Sequence, residues 1–276
     1  MSVIRTTLLM GALTGLLLAF GFLFAGTAGM TFALIFALII NIVSYWFSDK
    51  IVLRIYRAKP TDNKTLHSIV KKLTEEANLP MPRLYIIDTN IPNAFATGRN
   101  KKNAAIAVTK GLLNKLDNDE IEAVLAHEIS HIKNRDVLVS TLAATIGGAI
   151  SYLAQLGWYG FRGRGDNREN SLLLPLIILA PIAAMLVRLA ISRQREFGAD
   201  YTGAFISKKP LELASALEKI SNSVKSNPLR GNAATSHLWI VNPFKGDSLI
   251  NLFSTHPDVN QRISRLKELA KTMKAL

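Results

Sequence analysis

The alternation of apolar and polar positions divides the chain into two pairs of long apolar runs and two polar blocks. Residues 6–24 and 30–47 are almost wholly apolar, and a short uncharged turn of small residues separates them. As a helix, the first run would extend about 28 Å, which is enough to cross the hydrocarbon core of a bilayer. A cleaved signal peptide is the alternative, but the second run directly behind it favours a transmembrane helical hairpin.

The second apolar pair comprises residues 137–156 and 172–191. Length favours two further transmembrane helices, and a re-entrant or interfacial hairpin is the alternative. The three arginines in the connecting loop fit a spanning pair poorly. Several basic residues follow the first hairpin, so the positive-inside rule predicts that the N-terminus and the first polar block face the cytoplasm.

The first polar block combines helical and strand patterns. Residues 61–77 have the apolar spacing of an amphipathic helix, and short apolar runs at 84–87, 93–98 and 104–108 predict three strands. We expect a small antiparallel sheet from these strands. Its edge could bind an extended peptide through backbone hydrogen bonds, or the strands could form only an ordinary hairpin.

These patterns together predict four segments along the chain. An N-terminal transmembrane hairpin occupies residues 1–48, and the first part of a cytoplasmic domain occupies 49–136. A second transmembrane or re-entrant hairpin occupies 137–191, and the rest of the cytoplasmic domain occupies 192–276.

The helix predicted at the end of the first polar block carries the candidate chemistry, the sequence His-Glu-Ile-Ser-His at 127–131. Apolar residues at three- and four-residue steps indicate the helix, which Asp117 or Asn118 can cap. His127 and His131 then lie one turn apart on one face and can bind a single ion. Glu128 falls beside the ion, where it can take a proton from water. The alternative is a surface helix with unrelated histidines and a solvated glutamate.

A zinc site of this kind needs a third protein ligand, which a second helix could supply. No histidine follows within six residues of the motif, so Glu196, in the polar stretch after the last apolar run, is the candidate. Asp200 lies one turn further on and could hold the second ring nitrogen of a ligand histidine. Alternatively, both acids could pair with Arg193 and Arg195 on a surface helix.

Composition narrows the possible partners. The chain carries a formal net charge of +13 and no cysteine, and 49% of its residues are hydrophobic. The lack of cysteine excludes disulfides and thiolate metal ligands. Many basic residues lie beside apolar runs, so a lipid bilayer explains them better than a nucleic acid does.

The combined motifs resemble those of the HtpX-type membrane zinc metalloproteases, prokaryotic relatives of the CaaX prenyl proteases. The resemblance covers nearly the whole chain, and four motifs carry it: NAFATG at 93–98, HEISHIKNRD at 127–136, SRQREFGAD at 192–200 and FSTHPDVNQRI at 253–263. It implies a mainly α membrane protein with a zincin-like (gluzincin) α+β catalytic domain. One zinc ion would be bound by His127, His131 and Glu196, with Glu128 as the general base. Asp200 would contact a ligand histidine and not the ion itself.

The resemblance also implies residues that contact substrate. Asn93 would lie on the edge strand that aligns the peptide, while His256 and Arg262 would contact substrate carbonyls, His256 helping to stabilise the oxyanion. From the residues alone, His256 could instead belong only to the cap of the terminal helix, and Arg262 could lie on a solvated basic helix face.

The expected function is that of a zinc metalloendopeptidase in the cytoplasmic (inner) membrane of a prokaryote, with its catalytic domain in the cytoplasm. Family analogy suggests misfolded or damaged membrane proteins as substrates, and hence protein quality control and stress response. The alternatives are a membrane scaffold with a non-catalytic metal site, an intramembrane protease and a prenyl-protein processing protease. Oligomeric state cannot be inferred from the sequence.

Overall fold

A computed structural model describes the fold of the first polar block, the first hairpin and the helices of the second polar block. The described residues are 2–138, 141–142, 193–226, 238–241 and 257–274. The second predicted apolar pair lies outside these ranges except for its first few residues, and so does His256.

The first apolar pair forms one continuous helical segment, α1 (Ser2–Ile55), that reverses direction at Ala25 and Gly26. Gly26 adopts a φ of 58°, a left-handed conformation that glycine tolerates without a steric penalty. The two arms pack closely, because Asn41 Nδ2 donates a hydrogen bond to Thr14 Oγ1 at 2.9 Å. The first apolar pair therefore forms a helical hairpin that reverses at the beginning of the predicted turn, and its crossing of a membrane stays a prediction.

The second arm of α1 has the properties of a membrane-spanning helix. Within the described part of the chain, the segment Ala25–Ile55 is the one helix long and apolar enough to cross a bilayer, with a hydropathy of 2.1. The first arm contributes a shorter apolar helix, Met10–Leu23. Large apolar side chains such as Phe32 and Ile39 are exposed on the second arm, a surface that is costly in water and favourable in lipid.

Four strands form a mixed sheet in the order β1-β2-β4-β3. They are β1 (Lys59–Pro60), β2 (Arg83–Ile87), β3 (Ala94–Gly98) and β4 (Ala104–Thr109). β1 pairs antiparallel with β2 and β3 antiparallel with β4, whereas β2 and β4 are parallel. The prediction of an antiparallel sheet was therefore wrong for its central pair. The chain reverses once between β2 and β3 and again between β3 and β4, so β4 returns in the direction of β2.

The described part of the chain contains six further α-helices. They are α2 (Lys64–Ala77), α3 (Lys110–Lys115), α4 (Asn118–Lys133), α5 (Arg193–Ser207), α6 (Pro210–Ser226) and α7 (Val259–Lys274). The central helix is α4, which packs on α2, α5, α6 and β3. Its buried apolar residues, among them Leu125 and Ile129, join the main hydrophobic core.

The start of α4 is fixed by a capping box. The Asp117 side chain accepts a hydrogen bond from the Glu120 backbone N–H at 2.9 Å, and Glu120 Oε2 accepts one from the Asp117 N–H at 3.1 Å. Glu120 also accepts a hydrogen bond from Ser215 on α6 and forms an ion pair with Lys219. The cap therefore also ties the beginning of α4 to a neighbouring helix, which fixes the position of the residues further along it.

The opposite face of the sheet packs on the end of α1. Val52 and Leu53 of α1 form a second apolar cluster with Phe95 of β3 and Leu238. Asp49 of α1 pairs with Arg83 of β2 at 2.6 Å. The apolar helix α1 and the strand beside the candidate site thus belong to one packed unit.

Candidate metal and catalytic site

The site lies where α5 crosses α4. Gly203 of α5 sits against the backbone of His127, and a Cβ at Gly203 would lie 2.9 Å from the His127 N and Cα atoms. Ser130 of α4 donates a hydrogen bond to the Ala199 carbonyl of α5 at 3.1 Å. These contacts bring the two helices close enough for short side chains of one to meet those of the other.

The crossing brings together the three predicted metal ligands. The Nε2 atoms of His127 and His131 are 3.2 Å apart. The Glu196 carboxylate reaches both rings, with Oε2 at 3.7 Å from His127 Nε2 and Oε1 at 3.6 Å from His131 Nε2. One ligand atom from each residue lies within 4.8 Å of the others. The alternative in which the histidines are unrelated surface residues is therefore wrong.

Asp200 lies behind His127, on the side away from His131. Its Oδ1 atom is 2.9 Å from His127 Nδ1. A carboxylate at this position favours a proton on Nδ1, so Nε2 is left with its lone pair toward His131 and Glu196. Asp200 is buried, so the alternative of a surface acid is wrong, and its role in orienting a metal ligand stays a prediction.

Arg262 of α7 binds Asp200 from the opposite side. Its Nε and Nη2 atoms donate to the two Asp200 oxygens at 2.8 and 2.7 Å, and its Nη1 atom lies 3.6 Å from Glu196 Oε2. The Arg262 side chain is 0% exposed, so the alternative of a solvated basic helix face is wrong for this residue. Its contact with substrate remains a prediction.

The charges in this cluster determine its protonation. Burial alone would raise the pKa of the Asp200 carboxyl, but the Arg262 guanidinium and the His127 ring outweigh burial and hold that pKa below its usual range. Burial lowers the pKa of His127, yet the neighbouring carboxylates of Asp200 and Glu196 raise it to about 9. The cluster therefore favours a positive charge at the His127 ring.

Such an environment fits a divalent cation. Two neutral imidazole nitrogens and one carboxylate oxygen are a donor set that zinc prefers, and they leave a fourth position open. An ion at the point where they converge would take the place of the proton that Glu196 and Asp200 otherwise stabilise on His127. The three side chains therefore fit a zinc ion, and Asp200 would fix the orientation of one ligand.

Glu128 lies beside the ligands and contacts the sheet. Its Oε2 atom accepts a hydrogen bond from the Ala96 backbone N–H of β3 at 2.8 Å. Burial raises the pKa of the Glu128 carboxyl above its usual value. A raised pKa brings a carboxylate closer to the range that suits a group taking up and releasing a proton.

Asn93 precedes the edge strand β3 and is 1% exposed. Its side chain donates to the Leu238 carbonyl at 3.2 Å and accepts from the Ile240 N–H at 2.9 Å. Asn93 therefore joins β3 to the segment 238–241. β3 is an edge strand, as expected, and the alignment of a substrate along it stays a prediction.

Sequence reasoning missed one acid near His131. Asp136 Oδ2 lies 3.7 Å from His131 Nδ1, and the other oxygen of Asp136 lies 3.7 Å from Arg195 of α5. Asp136 occurs five residues after His131 in the HEISHIKNRD motif, where a turn brings it back toward the ring. The signal for this contact in the sequence was an acidic residue just after the end of the helix that carries His131.

Comparison with known proteins agrees with this geometry. Residues 60–270 match the model of Peptidase family M48. The chain belongs to this family. The match includes every described residue of the site.

Relatives in the same family resemble the chain over nearly its whole length. A "Protease HtpX homolog" of Thermococcus sibiricus is 53% identical over 282 residues, which cover 98% of this chain and 97% of the relative. Proteins of the same description from Pyrococcus furiosus and Persephonella marina are 52% and 50% identical, and the matches cover 98% and 99% of this chain and 96% and 99% of those relatives.

The fold is also similar to a solved structure. The crystal structure of S. mikatae Ste24p matches with a TM-score of 0.51 at 18% identity, and the match covers 96% of this chain. The chain spans 64% of the length of that protein. This similarity supports the predicted fold, a mainly helical protein with an α+β domain.

Proposed function

We propose that the chain is a membrane-bound, zinc-dependent endopeptidase. The observation that carries this proposal is the convergence of His127, His131 and Glu196, with the Glu128 carboxylate buried next to them. A zinc ion at this point supplies a Lewis acid that activates water and polarises a peptide carbonyl.

Glu128 is the proposed general base. Its Oε2 atom is held by the Ala96 N–H, so Oε1 takes the proton from the attacking water as the water oxygen bonds to the carbonyl carbon. The same oxygen then passes the proton to the amide nitrogen, and the carbon–nitrogen bond breaks. The Ala96 hydrogen bond keeps the carboxylate in one orientation during both transfers.

The remaining residues orient these groups. Asp200 holds the His127 ring through Nδ1, and Arg262 holds Asp200. Asn93 fixes the edge strand β3 against the segment 238–241, and a peptide paired with β3 would lie beside Glu128. From the family resemblance, His256 is proposed to contact the substrate carbonyl as its charge develops, and Arg262 a further substrate carbonyl.

The proposed substrates are misfolded or damaged membrane proteins, in a quality-control role at the inner membrane of a prokaryote. The packing of α1 against the sheet supports this proposal, because this apolar helix, long enough to cross a bilayer, lies next to the strand that borders the site. A substrate leaving the bilayer would have only a short distance to travel.

The test combines zinc analysis with casein cleavage for the purified full-length protein. We expect one zinc ion per chain in wild type and in Glu128→Gln, with cleavage by the variant reduced about 10²- to 10⁴-fold. His131→Ala should lose both zinc and activity. Glu75→Gln, which changes an exposed glutamate on α2, is the matched control and should keep both. A zinc-loaded, fully active Glu128→Gln variant would contradict the proposed general base. A wild-type protein without zinc or cleavage would instead favour a membrane scaffold.

A further inference from the structure

The turn between β3 and β4 lies against the polar end of the apolar α1 helix. The Arg99 guanidinium stacks over the Trp46 ring at 4.3 Å from its centroid, and Arg99 Nη1 donates to the Trp46 carbonyl at 3.4 Å. A few residues further along α1, Lys50 lies 5.4 Å from the centre of the Phe47 ring. The turn is therefore at the same level along α1 as the last aromatic residues of its apolar run.

This level corresponds to a membrane–water interface if α1 crosses a bilayer, as the proposed function assumes. Tryptophan is enriched at such interfaces, where its apolar ring and its N–H group meet different environments. Trp46 is 50% exposed and lies next to Phe47, the last residue of the apolar run, and the polar residues Ser48, Asp49 and Lys50 follow. Arg99 would then lie among lipid headgroups.

Five basic residues lie on these two neighbouring segments. Arg99, Lys101 and Lys102 lie on the turn, and Lys50 and Arg54 lie on the adjacent end of α1. Within the described part of the chain, none of these five side chains forms an ion pair with a carboxylate. Lysines elsewhere do form such pairs: Lys72, Lys110, Lys209 and Lys219. The nearby Asp49 carboxylate forms its ion pair with Arg83, at 2.6 Å.

We propose that this basic surface, formed by the turn 99–103 with Lys50 and Arg54, binds the headgroups of anionic phospholipids. A negatively charged headgroup would compensate the charge that the protein leaves unpaired here, and each basic residue near an anionic membrane adds to the attraction. The turn directly follows β3, whose Ala96 N–H holds Glu128. Lipid binding would thus anchor the strand that positions the proposed general base.

The test measures lipid selectivity of the full-length protein in detergent. Phosphatidylglycerol or phosphatidylcholine is titrated in, and native mass spectrometry counts the lipids that remain bound. The Lys101→Gln/Lys102→Gln variant removes two charges of the turn and leaves the Arg99–Trp46 stack intact. Its matched control is Lys64→Gln/Lys71→Gln, which removes two exposed charges from α2.

We expect wild type to prefer phosphatidylglycerol, and the turn variant to lose roughly tenfold or more of that affinity. The control should retain it. No preference in wild type, or an equal loss in the control, would overturn the proposal. Displacement of the lipid by excess inorganic phosphate would also overturn it, since the site would then bind free phosphate.

Casein cleavage in detergent separates this proposal from the proposed function. Both lysine variants should cleave casein as wild type does, which also shows that they are folded. A protein that lacks protease activity but selects phosphatidylglycerol would contradict only the proposed function. If the double variant does not fold, Lys102→Gln alone serves, with an expected loss of about fivefold.

Discussion

The backbone of Gly203 on α5 lies directly against the backbone of His127 on α4. A Cβ at Gly203 would be 2.9 Å from the His127 N and Cα atoms and 3.1 Å from the Ala126 carbonyl carbon. These are backbone atoms in the middle of a buried helix, so they cannot move aside as a flexible side chain could. The glycine therefore sets the distance between the helix that carries both histidines and the helix that carries Glu196.

Gly203→Ala should push α5 away from α4 and weaken the metal site. We expect a destabilisation of about 1–3 kcal/mol from overpacking and a loss of activity that can reach about 100-fold for a displacement near 1 Å. Thermal unfolding and zinc competition with a chelator are the measurements. Gly198→Ala, on the same helix, is the matched control because a Cβ there meets nothing within 4 Å. It should be neutral or gain up to about 1 kcal/mol of helix stability. Wild-type zinc affinity in Gly203→Ala would show that the close approach is not needed.

The parts of the site that follow from local rules could be predicted from the sequence. Asp117 and Glu120 form a capping box at a spacing that is visible in the chain, and His127 and His131 meet because four residues make about one helical turn. Glu196 was predictable because zinc requires a third ligand and Glu196 is the first acidic residue after the last apolar run.

The parts that depend on distant contacts could not be predicted. The parallel pairing of β2 with β4 depends on the edge of β2 along which the chain returns. The apolar pattern of a strand predicts which face is buried, but it does not predict the neighbouring strand. Arg262 lies among other basic residues of α7, and its burial is explained by two carboxylates, Asp200 and Glu196, that approach it from another helix. The close approach of Gly203 likewise has no local signal.

Asp200→Asn should damage both stability and metal binding. The substitution removes the negative charge that faces the fully buried Arg262 and that holds His127 Nδ1 at 2.9 Å. Breaking a buried ion pair from one side costs about 3–5 kcal/mol, and loss of a group that orients a ligand lowers metal affinity about 10- to 100-fold. Unfolding temperature and zinc competition measure the two effects separately. Asp62→Asn changes an exposed acid ahead of α2 and should alter neither quantity. Unchanged zinc affinity in Asp200→Asn would contradict the role of Asp200 in orienting a metal ligand.

Asp136→Asn should have a smaller effect on the same metal. The Asp136 carboxylate is 3.7 Å from His131 Nδ1, longer than a direct hydrogen bond, so we expect a loss of zinc affinity of about tenfold or less. Chelator competition should detect the change, while casein cleavage at saturating zinc should stay close to wild type. Because His131→Ala removes the ligand itself, the loss of zinc affinity in His131→Ala must exceed the loss in Asp136→Asn. A larger loss in Asp136→Asn would indicate that Asp136 is itself a ligand.

Metal removal should lower the thermal stability of the protein. An ion that binds the folded state alone stabilises it by about 2.7 kcal/mol when its free concentration is 100 times the dissociation constant. We therefore expect a chelator to lower the unfolding temperature of wild type and added zinc to restore it. His131→Ala should unfold at one temperature with or without zinc, because one of the three converging side chains is missing.

His67→Ala is the matched control for that experiment. His67 lies on α2, where its Nε2 atom is 3.1 Å from the Thr61 carbonyl, and it is not among the three residues that converge at the site. The variant should keep the full zinc-dependent shift in unfolding temperature, even if the loss of its own contact lowers stability. A zinc-dependent shift that survives in His131→Ala and disappears in His67→Ala would place the stabilising metal on α2 and not between α4 and α5.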